Sequence, residues 1–215
     1  MTGASVKDHV TEMVRDVLGP YMKDAGFRRR GRLFWRDGND VCHVVTVVMS
    51  PWGTRNQSSF KVELGVFWHQ VEMILHDNPI EKMPPQLVSC TFQIDLGWTV
   101  AQPPKLSWEV TLATDLEALG REVWEQLRDY GFRWLEYRSD LSRSLEWERY
   151  RRSEGRGLYS TPELFSPVAW IVFKVMLGKL TEAKDDLQKL AEDSDPDYAS
   201  ALAKKLRIQI NQPGR

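Results

Sequence analysis

Residues 26–36 contain five arginines, Arg28, Arg29, Arg30, Arg32 and Arg36, and no acid. Guanidinium groups bind oxyanions through paired hydrogen bonds and stack on aromatic planes, and Trp35 sits among them. Trp52 and Arg55 follow in the loop of residues 50–59, which a meander of paired strands would bring close to the same segment. Arg30, Arg32, Trp35, Arg36, Trp52 and Arg55 are therefore the candidate partner-binding residues, because arginine beside tryptophan is the usual composition of a protein-binding hot spot. The same arginines, with a base stacked on Trp35 or Trp52, would also suit nucleic acid or a nucleotide. A third reading needs no ligand: charge at a helix exit and a strand edge protects that edge from pairing with other chains.

Other chemistry is thinner. His69, Glu72 and His76 would share one face if the stretch after Trp68 is helical, and two imidazoles with a carboxylate suit a divalent metal in a small metal-dependent enzyme. The order is not H-E-x-x-H, and a polar loop face accounts for the same residues. Cys42 and His43 are neighbours in a strand-like run and so point to opposite faces, which rules out a direct nucleophile and base pair. Asp193, Asp195 and Asp197 mimic the start of a calcium loop, but Tyr198 stands where the turn needs glycine and Lys204 where it needs glutamate. No G-x-x-x-x-G-K-S/T, G-x-G-x-x-G, G-x-S-x-G or paired C-x-x-C is present. No catalytic residue, metal site or cofactor is assigned.

The whole chain sets bounds on these readings. It has 215 residues, 42% of them apolar, enough for one sizeable core with a small appended unit. Lysine plus arginine number 29 against 30 acids, so affinity for nucleic acid or an anionic membrane would have to come from a local patch. The longest purely apolar run, residues 168–173, is far shorter than the roughly 20 residues that span a bilayer, and no secretory signal opens the chain. The expectation is a soluble cytoplasmic protein with no membrane partner. Cys42 and Cys90 match no metal or redox spacing and read as buried small hydrophobes in a reducing compartment. Nine tryptophans are well above average usage. Trp68, Trp108, Trp124, Trp147 and Trp170 fall on apolar stripes, Trp35 and Trp52 lie beside arginines, and Trp98 and Trp134 fit no stripe.

The elements that must position these residues follow from periodicity. Val6, Val10, Met13, Val14, Val17, Leu18, Tyr21 and Ala25 recur at helical spacing behind a Ser5/Asp8 cap, with a kink or restart predicted at Gly19-Pro20 and a stop at Gly26. Residues 33–36 and 41–49 form a hairpin around a turn rich in Asp, Gly and Asn. Residues 60–68 alternate cleanly, with Phe60, Val62, Leu64, Val66 and Trp68 on one face. Residues 90–94 and 106–112 are further strands. The run Thr114-Asp115-Leu116-Glu117 opens a helix that Gly131 ends, and a charged helix spans residues 134–152 with Glu148 and Arg152 at i,i+4. After a linker at residues 153–157, Pro162 stands at a helix start, residues 164–177 form an apolar helix stopped by Gly178, and helices span 182–191 and 196–210. Seven acids against two lysines in residues 181–197 oppose the basic segment near residue 30, a polarity that suits a partner or docks the tail on the body.

The run from Gly26-Phe27 through the basic stretch to Leu33-Phe34-Trp35-Arg36, then Ser50-x-Trp52 and Phe60-Lys61-Val62-Glu63-Leu64-Gly65-Val66, resembles the bacterial family called domain of unknown function 4304. The likeness covers roughly residues 5–140. It implies an α+β domain and an immunity-type protein that binds a toxin; its motifs are structural, so no catalytic residue is carried over. The fold class is thus α+β: an N-terminal helix, a mainly antiparallel sheet of about five strands with packed helices, and a C-terminal helical tail. Residues 1–154 form the α+β domain and 155–215 the helical extension packed on it. The function expected is a non-enzymatic protein-binding module whose partner is another protein.

Overall fold

The computed structural model describes residues 5–75, 84–99, 106–153, 164–165, 167–193 and 196–208. Ser5 caps the first helix with a reciprocal bond to Asp8, as the sequence predicts, and α1 (Val6–Glu12) begins there. Gly19-Pro20 does not stop the chain. A π-helical turn, Met13–Leu18, carries α1 directly into α2 (Gly19–Asp24). Proline lacks the amide a regular ladder would use, and the regular helix restarts at Gly19 with Pro20 in its first turn, as the sequence predicts. Gly26, at φ +85°, then supplies the left-handed exit.

Three antiparallel hairpin partners follow: β1 (Arg28–Arg30), β2 (Leu33–Asp37) and β3 (Val41–Met49), and β3 pairs along its whole length with β4 (Gln57–Trp68). The second edge of β4 is shared. Its far half pairs with β5 (Phe92–Asp95) and its first residues with β6 (Trp108–Thr111). A two-residue strand, β7 (Leu164–Phe165), extends the sheet beyond β5. The sheet thus has seven strands among the described residues, the two beyond expectation being the short strands β1 and β7. Residue 164 pairs in a sheet where an apolar helix was predicted, because periodicity alone does not separate short apolar strands from helices.

Alternation along the strands gives the sheet two unequal faces. Val45, Phe60, Val62, Leu64, Val66 and Phe92 point inward to the main core, against Val10, Met13, Val14 and Leu18 of the first helical run. The outer face buries only a small cluster, Cys42, Val44, Phe67 and Cys90, with Leu33, Trp35 and Leu87 half-covering it. Both cysteines are free and buried. Burial pushes the Cys42 thiol up to about 12 and Cys90 well above its ordinary value, so both act as apolar groups at neutral pH. Gly65 lets the turn at residues 87–90 sit on this face: an added Cβ would come 2.5 Å from Cys90 Sγ and 2.9 Å from Leu87 Cδ1. Gly65→Ala is expected to cost about 1–3 kcal/mol through overpacking, measured as a shift of the urea midpoint at unchanged m-value.

The helix after β6 starts one residue later than its sequence signature. Asp115, not Thr114, is the cap, accepting from the amides of Glu117 and Ala118, and α4 spans Leu116–Gln126. Gly131 does not end it. A π-helical turn, Leu127–Gly131, leads into α5 (Phe132–Arg138). Gly131 has helical φ, and an added Cβ would lie 2.9 Å from Leu96 Cδ1 in the turn after β5, so the glycine permits close approach to that turn and does not terminate the helix. The charged helix breaks at Ser139-Asp140 and resumes as α6 (Leu141–Ser153). The predicted Glu148–Arg152 pair lies outside the described side chains.

The C-terminal helices are α7 (Pro167–Met176), α8 (Leu180–Asp193) and α9 (Pro196–Lys205). Trp170 and Phe173 of α7 belong to the same core as the sheet, while Ile171 packs with Ala183, Leu187, Leu202 and Ala203 in a second cluster. Two of the tail's acids pair close to the tail instead of with the basic segment near residue 30: Glu182 bonds Arg149 at 2.6 Å and Asp186 bonds Lys174 at 2.5 Å. Pro162, Asp195 and the linker at residues 154–157 lie outside the described residues. No described helix is long and apolar enough to cross a membrane.

Candidate protein-binding surface

The β1–β2 turn places two of the predicted arginines. Gly31, at φ +62°, allows the two-residue turn Gly31-Arg32 between the paired residues Arg30 and Leu33. Arg30 is exposed on the outer face. Arg32 lies at the tip, its carbonyl accepting from Val47 N at 3.0 Å, and its Nη1 is buried without a hydrogen-bond partner. This tip and the β3–β4 loop at residues 50–56 lie at the same end of the sheet.

Trp52 in that loop is 91% exposed, and among the described residues no ring or cation packs on it. Its amide donates to Ser50 Oγ at 3.3 Å, which fixes the backbone and leaves the indole in solvent. Arg55 is exposed beside it; its carbonyl accepts from Val6 N at 3.0 Å, tying the loop to the start of α1. The Ser5 hydroxyl and amide, with lesser help from His9 and Arg55, hold the Asp8 carboxyl below its usual range.

Trp35 and Arg36 do not join this group. Trp35 is half-buried on the outer face, opposite Arg28 and over the Cys42 cluster. Arg36 is opposite His43, six strand residues before Met49, which is about 20 Å along the sheet. Its guanidinium is consumed internally: Nη1 donates to Ala25 O at 3.2 Å, Nη2 to His43 Nδ1 at 3.1 Å, and the plane lies over the rings of Phe27 and Phe132 at 4.9 and 5.8 Å. Arg36 is therefore a structural cation that seals the helix exit against the sheet.

The chain from Arg36 continues to Ser139. His43 Nε2 lies 2.6 Å from Ser139 Oγ, which in turn donates to Leu135 O at 2.7 Å. A serine beside a histidine suggests a nucleophile with its base, but the protons run the wrong way. Arginine only donates, so Nδ1 accepts, the neutral ring carries its proton on Nε2, and His43 donates to the serine. Such a histidine cannot take the serine proton. Burial, reinforced by the nearby Arg36 charge, pushes His43 down to about 4 and keeps it neutral. This network was not legible beforehand, because Ser139 lies 96 residues from its partner.

Of the three residues weighed for a metal, the two described are each engaged elsewhere. The stretch after Trp68 is helical, α3 (His69–Leu75), but His69 Nε2 bonds Asp37 at 3.1 Å while the buried Glu72 accepts from Thr91 at 3.0 Å. His76 lies outside the described residues, and among those described no three metal-ligating side chains gather. Arg138, also unmarked in the sequence, is buried with its guanidinium over Phe92 at 5.1 Å, Tyr137 at 5.5 Å and Trp147 at 5.7 Å, while its carbonyl accepts from Trp68 Nε1.

Residues 18–137 match a family model described as a domain of unknown function (DUF4304). No curated protein and no solved structure matches the chain.

Proposed function

The chain belongs to the DUF4304 family of domains of unknown function, and from that premise we propose that it is a non-enzymatic protein-binding module docking through the end of the sheet that carries Trp52. The exposed indole carries this reading: a tryptophan left 91% in solvent on a short anchored loop has no packing role. Arg30, Arg32 and Arg55 at the same end give the surface a positive rim, which suits an acidic patch on the partner. The kind of partner that the family resemblance implies is a protein toxin, with the module acting in the reducing cytoplasm that its two free buried cysteines suit. Strand-by-strand stacking of nucleic acid is less well supported, because Trp35 is half-buried and Arg36 is engaged inside.

Affinity capture from a lysate of the source organism tests the proposal, comparing the wild-type chain with Trp52→Ala and with Trp98→Ala, a second exposed tryptophan in the turn after β5. Trp52→Ala should lose the captured protein while its stability stays within about 0.5 kcal/mol of wild type. Equal capture by all three chains, or a bound species that is nucleic acid, would refute the docking surface.

A further inference from the structure

A second basic site lies at the other side of the helix exit, away from Trp52 and independent of it. Between the first helical run and β1 is a cavity of about 620 Å³, lined by the cations Arg15, Lys23, Arg28 and Arg29, with Asp24 the one acid in its lining. Arg15 is already neutralised, binding Asp16 through two hydrogen bonds at 2.6 and 2.5 Å. The other three are differently placed. Lys23 and Arg28 make no hydrogen bond or ion pair among the described residues, and Arg29 spends one donor, Nη1, on the Gly31 carbonyl at 2.9 Å, while its charge also helps hold the Asp16 carboxyl low.

Gly19 forms the wall beside Arg29, whose Nε would stand 3.8 Å from an added Cβ, an ordinary contact distance. Pro20 and Phe27 contribute the apolar part of the lining. The π-helical turn that supplies Arg15 borders the cavity, and such turns recur at functional sites. Three cations with donors to spare call for more than a carboxylate. A phosphate monoester brings close to two negative charges and three acceptor oxygens, matching the forked donors of arginine. The volume exceeds what a bare ion needs and lies within the roughly 300–1,000 Å³ of small-molecule sites, so the ester's organic part has room against Pro20.

We propose that this cavity binds a small phosphate monoester, its phosphate held by Lys23, Arg28 and Arg29 and its organic part lying against the exposed Pro20. The test is calorimetric titration and amide chemical-shift mapping of the full chain with inorganic phosphate, AMP and adenosine, together with a single-stranded oligonucleotide bearing no terminal phosphate. Both phosphate probes should bind and adenosine should not, with shifts centred on Gly19, Lys23 and Arg29 and with affinity falling as salt is raised. The double variant Lys23→Gln/Arg29→Gln should weaken AMP binding by at least about tenfold at unchanged thermal midpoint, since both residues are exposed. Absence of binding by both phosphate probes, equal binding by the variant, or shifts confined to the Trp52 loop would overturn the proposal. Binding of the oligonucleotide with none of AMP would overturn it too, in favour of a nucleic-acid backbone. Each of these outcomes leaves the Trp52 capture result unaffected, so the two sites stand or fall separately.

Discussion

Alanine at Trp170 is expected to lower the free energy of unfolding by about 3–5 kcal/mol, the largest loss of any single substitution considered for this chain. The residue is 1% exposed and lies at the centre of an aromatic group that joins the C-terminal helices to the sheet. Its ring is 5.6 Å from Phe92 of β5 and 5.4 Å from Phe173, while Phe173 in turn meets Phe92 at 5.5 Å and Trp68 of β4 at 5.6 Å. Edge-to-face pairs of this kind add to simple area burial, and removing the largest ring opens a cavity that its neighbours cannot close. The ion pairs on the same helix do not compensate. Lys174 and Asp186 hold α8 to α7, not α7 to the sheet, so they survive the substitution without restoring the lost packing. Urea unfolding followed by far-ultraviolet circular dichroism reads the effect, with Trp170→Phe as the milder companion. A loss below about 1 kcal/mol for the alanine variant would show that α7 contributes little to the shared core.

The sequence carried the frame of this fold more clearly than its joints. Clean alternation from Phe60 to Trp68 and the two-sided apolar run of Val41 to Met49 set the centre of the sheet, because a half-buried strand and a doubly covered one leave different patterns. The places where expectation failed are local. Gly131 reads as a helix end, yet it lies within a continuous helical run joined by a π-helical turn, and tertiary packing decided between the two uses of glycine. The candidate surface separated for a related reason. Arg36 and Arg30 are the same residue type six positions apart, but strand parity and pairing direction send one into the fold beside His43 and leave the other in solvent. Trp52 was recognisable because a large ring in a loop, close to Arg55 and between Pro51 and Gly53, has no apolar stripe to join. Ser139, Arg138 and Lys23 carried no such mark, since their roles depend on partners that only the folded chain brings near.

The Arg36–His43–Ser139 chain makes stability depend on pH in a window of its own. In the folded protein His43 titrates at about 4, against 6.5 for a free imidazole, because burial and the neighbouring Arg36 both oppose its charge. Between these two values the unfolded chain binds a proton that the folded chain does not, so stability rises with pH there. The contribution is therefore complete above pH 6.5, declines as the pH falls toward 4, and is absent below that. Its size follows from the depression itself, about 3 kcal/mol. The carboxylates held low by hydrogen bonds to Ser5, Arg15, Arg128 and Arg149, namely Asp8, Asp16, Asp129 and Glu182, act in the same sense as His43 but at lower pH, their effect being lost as the pH falls below the ordinary carboxylate range. His43→Gln isolates the histidine, since the amide oxygen can accept from Arg36 and the amide nitrogen can donate to Ser139 without titrating. Urea midpoints at pH 7, 6, 5 and 4 should fall steeply for the wild type and much less for the variant. Parallel profiles would show that His43 does not remain neutral through this range, and the proton order that denies Ser139 a base would fail with it.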